Sequence, residues 1–212
     1  MICGETGSGK STQIGQFLLE KNYQSFGKIA ITQPRRLATI ALANRVAQET
    51  HTKLGQTIGY QVRHDRKDSP ETLVKYLTDG ILLNEMSSDS LLTSYSVIVI
   101  DEAHERKVNT DILIGLLSRL VITRYKMSLE NKCHPLRLII MSATMRVQDF
   151  QNEDLFDFTV PIINVEARMF QVTTYFEKNT PEDYKTAAVK KCLMIHRKLP
   201  DGDVLVFMTG KE

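Results

Sequence analysis

The sequence predicts an α/β protein built on a parallel sheet with helical crossovers. Three features point there. Short runs rich in Val and Ile alternate with longer segments of helical periodicity. Val97-Ile98-Val99-Ile100 and Leu138-Ile139-Ile140-Met141 are apolar without alternation, as expected of strands covered on both faces. Finally, a glycine-rich turn, Gly4-Glu5-Thr6-Gly7-Ser8-Gly9-Lys10-Ser11, runs into a helical pattern.

Taken in order, a strand is expected before the glycine turn, with Met1-Ile2 its remnant, and a helix after it. Ile29–Thr32, Thr57–Val62, Leu73–Leu77, Val97–Ile100, Leu136–Met141 and Ile162–Val165 read as strands from their β-branched content. Arg35–Glu49 and Val108–Arg124 read as helices, the second because Leu113, Leu116, Leu117, Leu120 and Val121 recur at helical spacing. The polar stretch Lys126–Pro135 reads as a surface loop. After Val165 the rhythm restarts: a strand at Val172–Phe176, a Thr180-Pro181 turn, a helix at Glu182–Lys198, a Pro200-Asp201-Gly202 turn and a buried strand at Val204–Met208. A boundary is expected near Glu166–Arg168, dividing the chain into 1–166 and 167–212. The second part is one βαβ unit, too small to close a core alone. Both ends read as cut, so the chain is expected to be a fragment of a larger protein.

Of 212 residues, 42% are apolar and 25% charged, a composition that argues against a disordered, collagen-like or membrane chain. Lys and Arg exceed Asp and Glu by 27 to 25, so the net charge of +2 excludes a uniformly basic nucleic-acid coat but not a local patch. Cys3, Cys133 and Cys192 form no paired motif, which fits a reducing compartment with neither a disulfide framework nor a zinc site. No apolar run reaches the roughly 18–20 residues of a membrane span, and no signal segment opens the chain. A soluble intracellular protein is expected. Cys3 and Cys192 read as packing residues, and Tyr175-Phe176 as core.

The glycine turn fits the phosphate-binding pattern G-x-x-x-x-G-K-[ST]. Glycines let successive N–H groups wrap phosphates, and the helix N-terminus behind them adds partial positive charge. Lys10 then reaches the outer phosphates and the Ser11 hydroxyl is a Mg²⁺ ligand. Asp101-Glu102-Ala103-His104 ends the apolar strand at Ile100, and the carboxyl end of a buried parallel strand faces the crevice where ligands bind. Asp101 is placed to hold Mg²⁺ directly or through water, and Glu102 to orient and deprotonate an attacking water. His104 is open from spacing alone: a plain helix-start residue, or a coupler between nucleotide and a neighbouring lobe.

Asp-Glu-Ala-His in this place resembles the signature of the DEAH-box RNA helicases. Thr32-Gln33-Pro34-Arg35-Arg36 is similar to that family's motif Ia, Thr78-Asp79-Gly80 to motif Ib, Ser142-Ala143-Thr144 to motif III, and Leu205-Val206-Phe207-Met208-Thr209-Gly210 to motif IV. The resemblance implies a RecA-like P-loop NTPase lobe over 1–166 and the beginning of a second RecA-like lobe over 167–212. It implies an RNA-stimulated ATPase that uses ATP and Mg²⁺. Gly4, Glu5, Thr6, Gly7, Ser8, Gly9, Lys10, Ser11 and Thr12 would form the nucleotide loop, Arg45 would stack on the adenine, and Ser11, Asp101 and Glu102 would serve the metal. Arg36, Arg63 and Thr78 match positions that contact RNA; His104, Ser142 and Thr144 match those that link nucleotide state to RNA grip. Further stretches, among them Asp111–Val121, Met145–Phe150, Arg168-Met169-Phe170, Thr180–Tyr184 and Ile195–Pro200, resemble the nucleolar DEAH subgroup of small-ribosomal-subunit assembly. That implies pre-rRNA or small nucleolar RNA as partner, with pre-ribosomal proteins around it. Gly15 departs from the family, which commonly has proline there, and is expected to loosen the helix.

Residues 33–66 hold six Lys or Arg (Arg35, Arg36, Arg45, Lys53, Arg63, Arg66) against Glu49 and Asp65, a basic stripe of the kind that grips phosphates. Tyr60 is the one aromatic in it, so grip through the RNA backbone is expected rather than base stacking. Two other readings stand beside the helicase: a truncated module that binds nucleotide or RNA without turnover, and a different P-loop ATPase.

Overall fold

In the computed structural model, residues 1–143, 155–156, 158–166 and 171–209 are described. The chain divides into two compact units, Met1–Arg168 and Met169–Glu212.

The first unit is a sheet of eight strands: β1 Ile2–Gly4, β2 Lys28–Gln33, β3 Ile58–Val62, β4 Asp65–Lys67, β5 Val74–Thr78, β6 Tyr95–Ile100, β7 Arg137–Ser142 and β8 Ile163–Val165. Their order across the sheet is β4-β3-β5-β2-β6-β7-β1-β8. All neighbours run parallel except β3 and β4, an antiparallel hairpin at one edge that pairs Val62 with Asp65. The polar sequence of β4 hid this strand: Asp-Arg-Lys has low β-propensity and is ordered by its edge pairing.

Among the described residues, four α-helices cover the sheet: α1 Lys10–Glu20, α2 Arg36–Glu49, α3 Asp79–Ser88 and α4 Val108–Leu129. Alternation in β6 explains its uniformly apolar sequence. Val97 and Val99 pack into one core with Ile29, Ile31, Val74, Tyr76, Ala43 and Val46, whereas Ile98 and Ile100 enter the opposite core with Leu77, Leu82, Leu113 and Leu117. On α4 the apolar stripe buries Leu113, Leu117 and Leu120, but Leu116 is 43% exposed. α4 also extends to Leu129, so the first four residues of the expected loop at Lys126–Pro135 are helical. Arg124, on that last stretch, is buried; its guanidinium donates to the carbonyls of Leu92 (2.9 Å), Tyr95 (2.8 Å) and His134 (3.0 and 2.6 Å). Gly15 packs α1 closely on the sheet, where a Cβ would stand 3.0 Å from Ile31 Cδ1.

The second unit holds α5, Tyr184–Lys198, whose N-terminus is capped by the Asp183 carboxylate accepting the Thr186 N–H at 3.0 Å. The expected strands at Val172–Phe176 and Val204–Met208 are absent as strands, and both segments are exposed. Tyr175 is 86%, Phe176 91% and Phe207 88% accessible, which corrects the readings of core and buried strand. Strand conformation needs a ladder partner, and no strand of this unit is present among its described residues. The chain holds no helix long and apolar enough to cross a membrane among the described residues.

Candidate functional site

Every motif singled out in the first unit sits at the carboxyl end of a parallel strand, the end at which α/β sheets bind ligands. The glycine turn leaves β1, Asp101-Glu102 leaves β6, and Ser142 ends β7, which lies between β6 and β1 in the sheet. Together they enclose a cleft of about 300 Å³ lined by Thr6, Gly7, Gly9, Lys10, Ser11, Thr12, Glu102 and Ala143.

The turn takes its shape from glycines where L side chains are strained: Gly7 has φ 86° and Gly9 φ 84°. Gly9 is also the N-cap of α1 and brings no side-chain cap, so N–H groups of the first turn are left facing the cleft. Lys10 folds back over the loop, donating to the Gly4 carbonyl, to the Glu5 carbonyl at 2.8 Å and to Ser8 Oγ at 3.0 Å. Its partners are neutral oxygens, so the ammonium keeps its charge for an anionic ligand.

Asp101 lies at 1% exposure beneath the cleft. One carboxylate oxygen accepts the Glu102 N–H at 2.9 Å, and the other accepts the Gln33 amide. Burial pushes its pKa up to about 6, partly offset by the Ser11 hydroxyl and by Lys10. A buried carboxylate held in this way, beside a serine hydroxyl, is an oxygen donor set that suits Mg²⁺, which prefers few protein ligands and keeps several waters. Glu102 takes up left-handed backbone (φ 55°, ψ 35°), rare for a residue with a side chain, and stands in the cleft wall. His104 Nδ1 accepts the Ala143 N–H at 3.2 Å, which ties the Asp-Glu-Ala-His turn to the end of β7. Ser142 is buried there; Thr144 lies outside the described residues.

Arg45 is not brought to the cleft lining. It projects from α2 and pairs with Glu49 at 2.6 Å, while Glu49 also accepts from Gln13 and Gln16 of α1. The bond from Arg45, then that from Gln16, holds the Glu49 carboxyl below its ordinary range.

A second cleft, of about 650 Å³, opens beyond the ends of β2, β3 and β5, and its wall includes Pro34, Arg63, Thr78, Gly80, Lys107 and Asn109. Arg63 and Thr78 line this cleft together, whereas Arg36 stands outside the lining on the exposed first turn of α2. Half of the basic stripe is paired: Arg35 with Glu105, Arg45 with Glu49 and Arg66 with Asp68. Arg36, Lys53 and Arg63 are exposed and form no ion pair among the described residues. Lys107 and Asn109 were missed from sequence, because neither stands in a motif and their place in the cleft depends on the turn into α4. Gln33 was quoted within a motif, but its bond to Asp101, 68 residues away, has no local signature.

Comparison with known proteins agrees with this geometry. The family model for the DEAD/DEAH box helicase matches residues 1–152. The chain is 50% identical over 213 residues to the probable ATP-dependent RNA helicase kurz of Drosophila melanogaster and 50% identical over 214 residues to the probable ATP-dependent RNA helicase DHX37 of Homo sapiens. It is 49% identical over 221 residues to the probable ATP-dependent RNA helicase DHR1 of Saccharomyces cerevisiae. Each match takes in 100% of this chain but only 17–18% of the relative, so the chain spans under a fifth of the length of these proteins. With a phosphate loop, an Asp-Glu-Ala-His turn and the end of β7 converging on one cleft, and a family model spanning most of its length, the chain belongs to the DEAD/DEAH box helicase family.

Proposed function

We propose that the chain is the nucleotide-binding lobe, residues 1–166, and the beginning of the second RecA-like lobe, residues 167–212, of an RNA-dependent ATPase. The observation that carries this reading is the convergence of Lys10, Ser11 and Glu102 on one cleft, with Asp101 buried directly beneath. ATP lies with its phosphates along residues 4–12, the loop N–H groups and Lys10 holding the outer phosphates. Ser11, Asp101 and Glu102 would hold Mg²⁺, which would supply positive charge to the phosphate oxygens. Glu102 aligns a water in line with the γ-phosphate and takes its proton. Arg45 swings from Glu49 to the adenine face.

RNA lies across the second cleft, where Arg63 and Thr78 contact its backbone and Arg36 extends the contact. His104, with Ser142 and Thr144, links nucleotide state to RNA grip. The identity of about half to kurz, DHX37 and DHR1, each a probable ATP-dependent RNA helicase, supports RNA as the substrate, and the stretches that resemble the nucleolar DEAH subgroup favour pre-rRNA or small nucleolar RNA in the nucleolus.

ATP turnover by the purified protein, with and without single-stranded RNA and with Glu102→Gln as blank, tests this. Turnover above the blank that rises with RNA is the expected result. Turnover indifferent to RNA favours another P-loop ATPase. Mg²⁺-ATP binding without turnover favours a module that binds and does not hydrolyse.

A further inference from the structure

The turn after β2 and the turn after β6 are stitched together by contacts that none of the roles above uses. Gln33, 2% exposed, donates to Asp101. The Asp101 N–H donates to the Thr32 carbonyl at 3.2 Å. Lys107 Nζ donates to the Pro34 carbonyl at 3.2 Å. Arg35 pairs with Glu105 at 2.9 Å, and Lys107 with the other oxygen of the same carboxylate at 3.2 Å. Burial raises Glu105, but Arg35 and Lys107 outweigh it and hold the carboxyl below its ordinary range.

This seam has one end under each cleft. Pro34 and Lys107 stand in the wall of the cleft that holds Arg63 and Thr78. At the other end, Gln33 occupies an oxygen of Asp101 beneath the nucleotide cleft. Two cations share one carboxylate, Arg35 being 69% and Lys107 42% exposed. A polyanion entering the second cleft competes with Glu105 for those cations. Freeing them loosens residues 33–35, and with them the hold on Asp101.

We propose that this seam couples the two clefts, with Gln33 a positioning residue for Asp101 and the Arg35–Glu105–Lys107 triad the part that senses the strand. The proposal rests on the reading of the two clefts as RNA and nucleotide sites. Coupling between sites is reciprocal, so it is measurable at equilibrium without turnover.

The test is the dissociation constant of a fluorescent oligouridylate, measured on the purified protein with and without a non-hydrolysable ATP analogue and Mg²⁺. The ratio of the two constants is the coupling factor, expected in the wild type within the usual range of about 5–150-fold. Arg35→Glu, Glu105→Arg and Gln33→Met should each bring it to about 1. Arg35→Lys, which keeps a cation between Glu105 and the strand, should retain most of it. An Arg35→Glu variant that weakens both constants equally and so keeps the ratio would make Arg35 a plain phosphate contact and overturn the proposal. So would single variants that keep the wild-type ratio, or a wild type that binds both probes with a ratio of 1. A wild type that binds neither probe would instead bring down the reading of both clefts, and the seam with it.

Discussion

Asp101 is where environment and task conflict most openly. A carboxyl pushed up to about 6 by burial disfavours the folded state whenever it is ionised, unless a cation joins it. Its folded pKa lies above the ordinary value of 3.8, so the folded state binds the extra proton between about pH 4 and pH 6. Stability from this group is therefore greatest at the acidic end and is lost as pH rises through 6. A shift of about two units corresponds to roughly 3 kcal/mol. Asp101→Asn should accordingly stabilise the ligand-free protein by up to ~3 kcal/mol at pH 7.5 and by much less near pH 4.5. Urea unfolding of both proteins at the two pH values checks this; an equal or negative difference at pH 7.5 would show that the carboxylate is well solvated. The placement of Gly7, Lys10, Ser11 and Glu102 at one cleft, with Asp101 beneath, was legible in the sequence because each stands in a short local pattern. Gln33 and Lys107 were not, because their partners come from turns that only the fold brings together.

At the scale of elements, strands buried on both faces read easily, since β6 and β7 are apolar throughout. Ends and edges read poorly. α4 runs past its apolar stripe: residues Tyr125–Leu129 continue the helix but bury no side chain, so no apolar face marks its end. The Arg124 fork donates to four carbonyls, those of Leu91, Leu92 and Tyr95 around the start of β6 and that of His134 before β7. Arg124→Ala would strand buried acceptors worth about 1–3 kcal/mol each, so a loss of roughly 3–5 kcal/mol in urea unfolding is expected. Arg124→Lys should recover only part of it, because one ammonium cannot span the positions a planar fork reaches. Full recovery by lysine would mean that charge, not the fork, is what the site needs.

On the whole-molecule scale, the sheet sorts its chemistry by strand. Ends of β1, β6 and β7 surround the cleft of Lys10 and Ser11, and ends of β2, β3 and β5 border the cleft of Arg63 and Thr78. The parallel order was legible from the alternation of strand and helix, which demands crossovers. The second unit was misread for a physical reason: an apolar, β-branched run becomes a strand only beside a partner, and Val204–Met208 has none among the described residues of its unit. The central claim is that the first unit is built round a phosphate-binding cleft with Lys10 as its cation. Equilibrium binding of Mg²⁺-ATP to the wild type and to Lys10→Ala, with thermal unfolding of both as a control on folding, tests it most directly. Loss of a charge-assisted contact of ~1.5–3 kcal/mol predicts binding about 10–100-fold weaker in the variant, with an unfolding transition close to that of the wild type. Equal affinity in the two proteins would contradict the account.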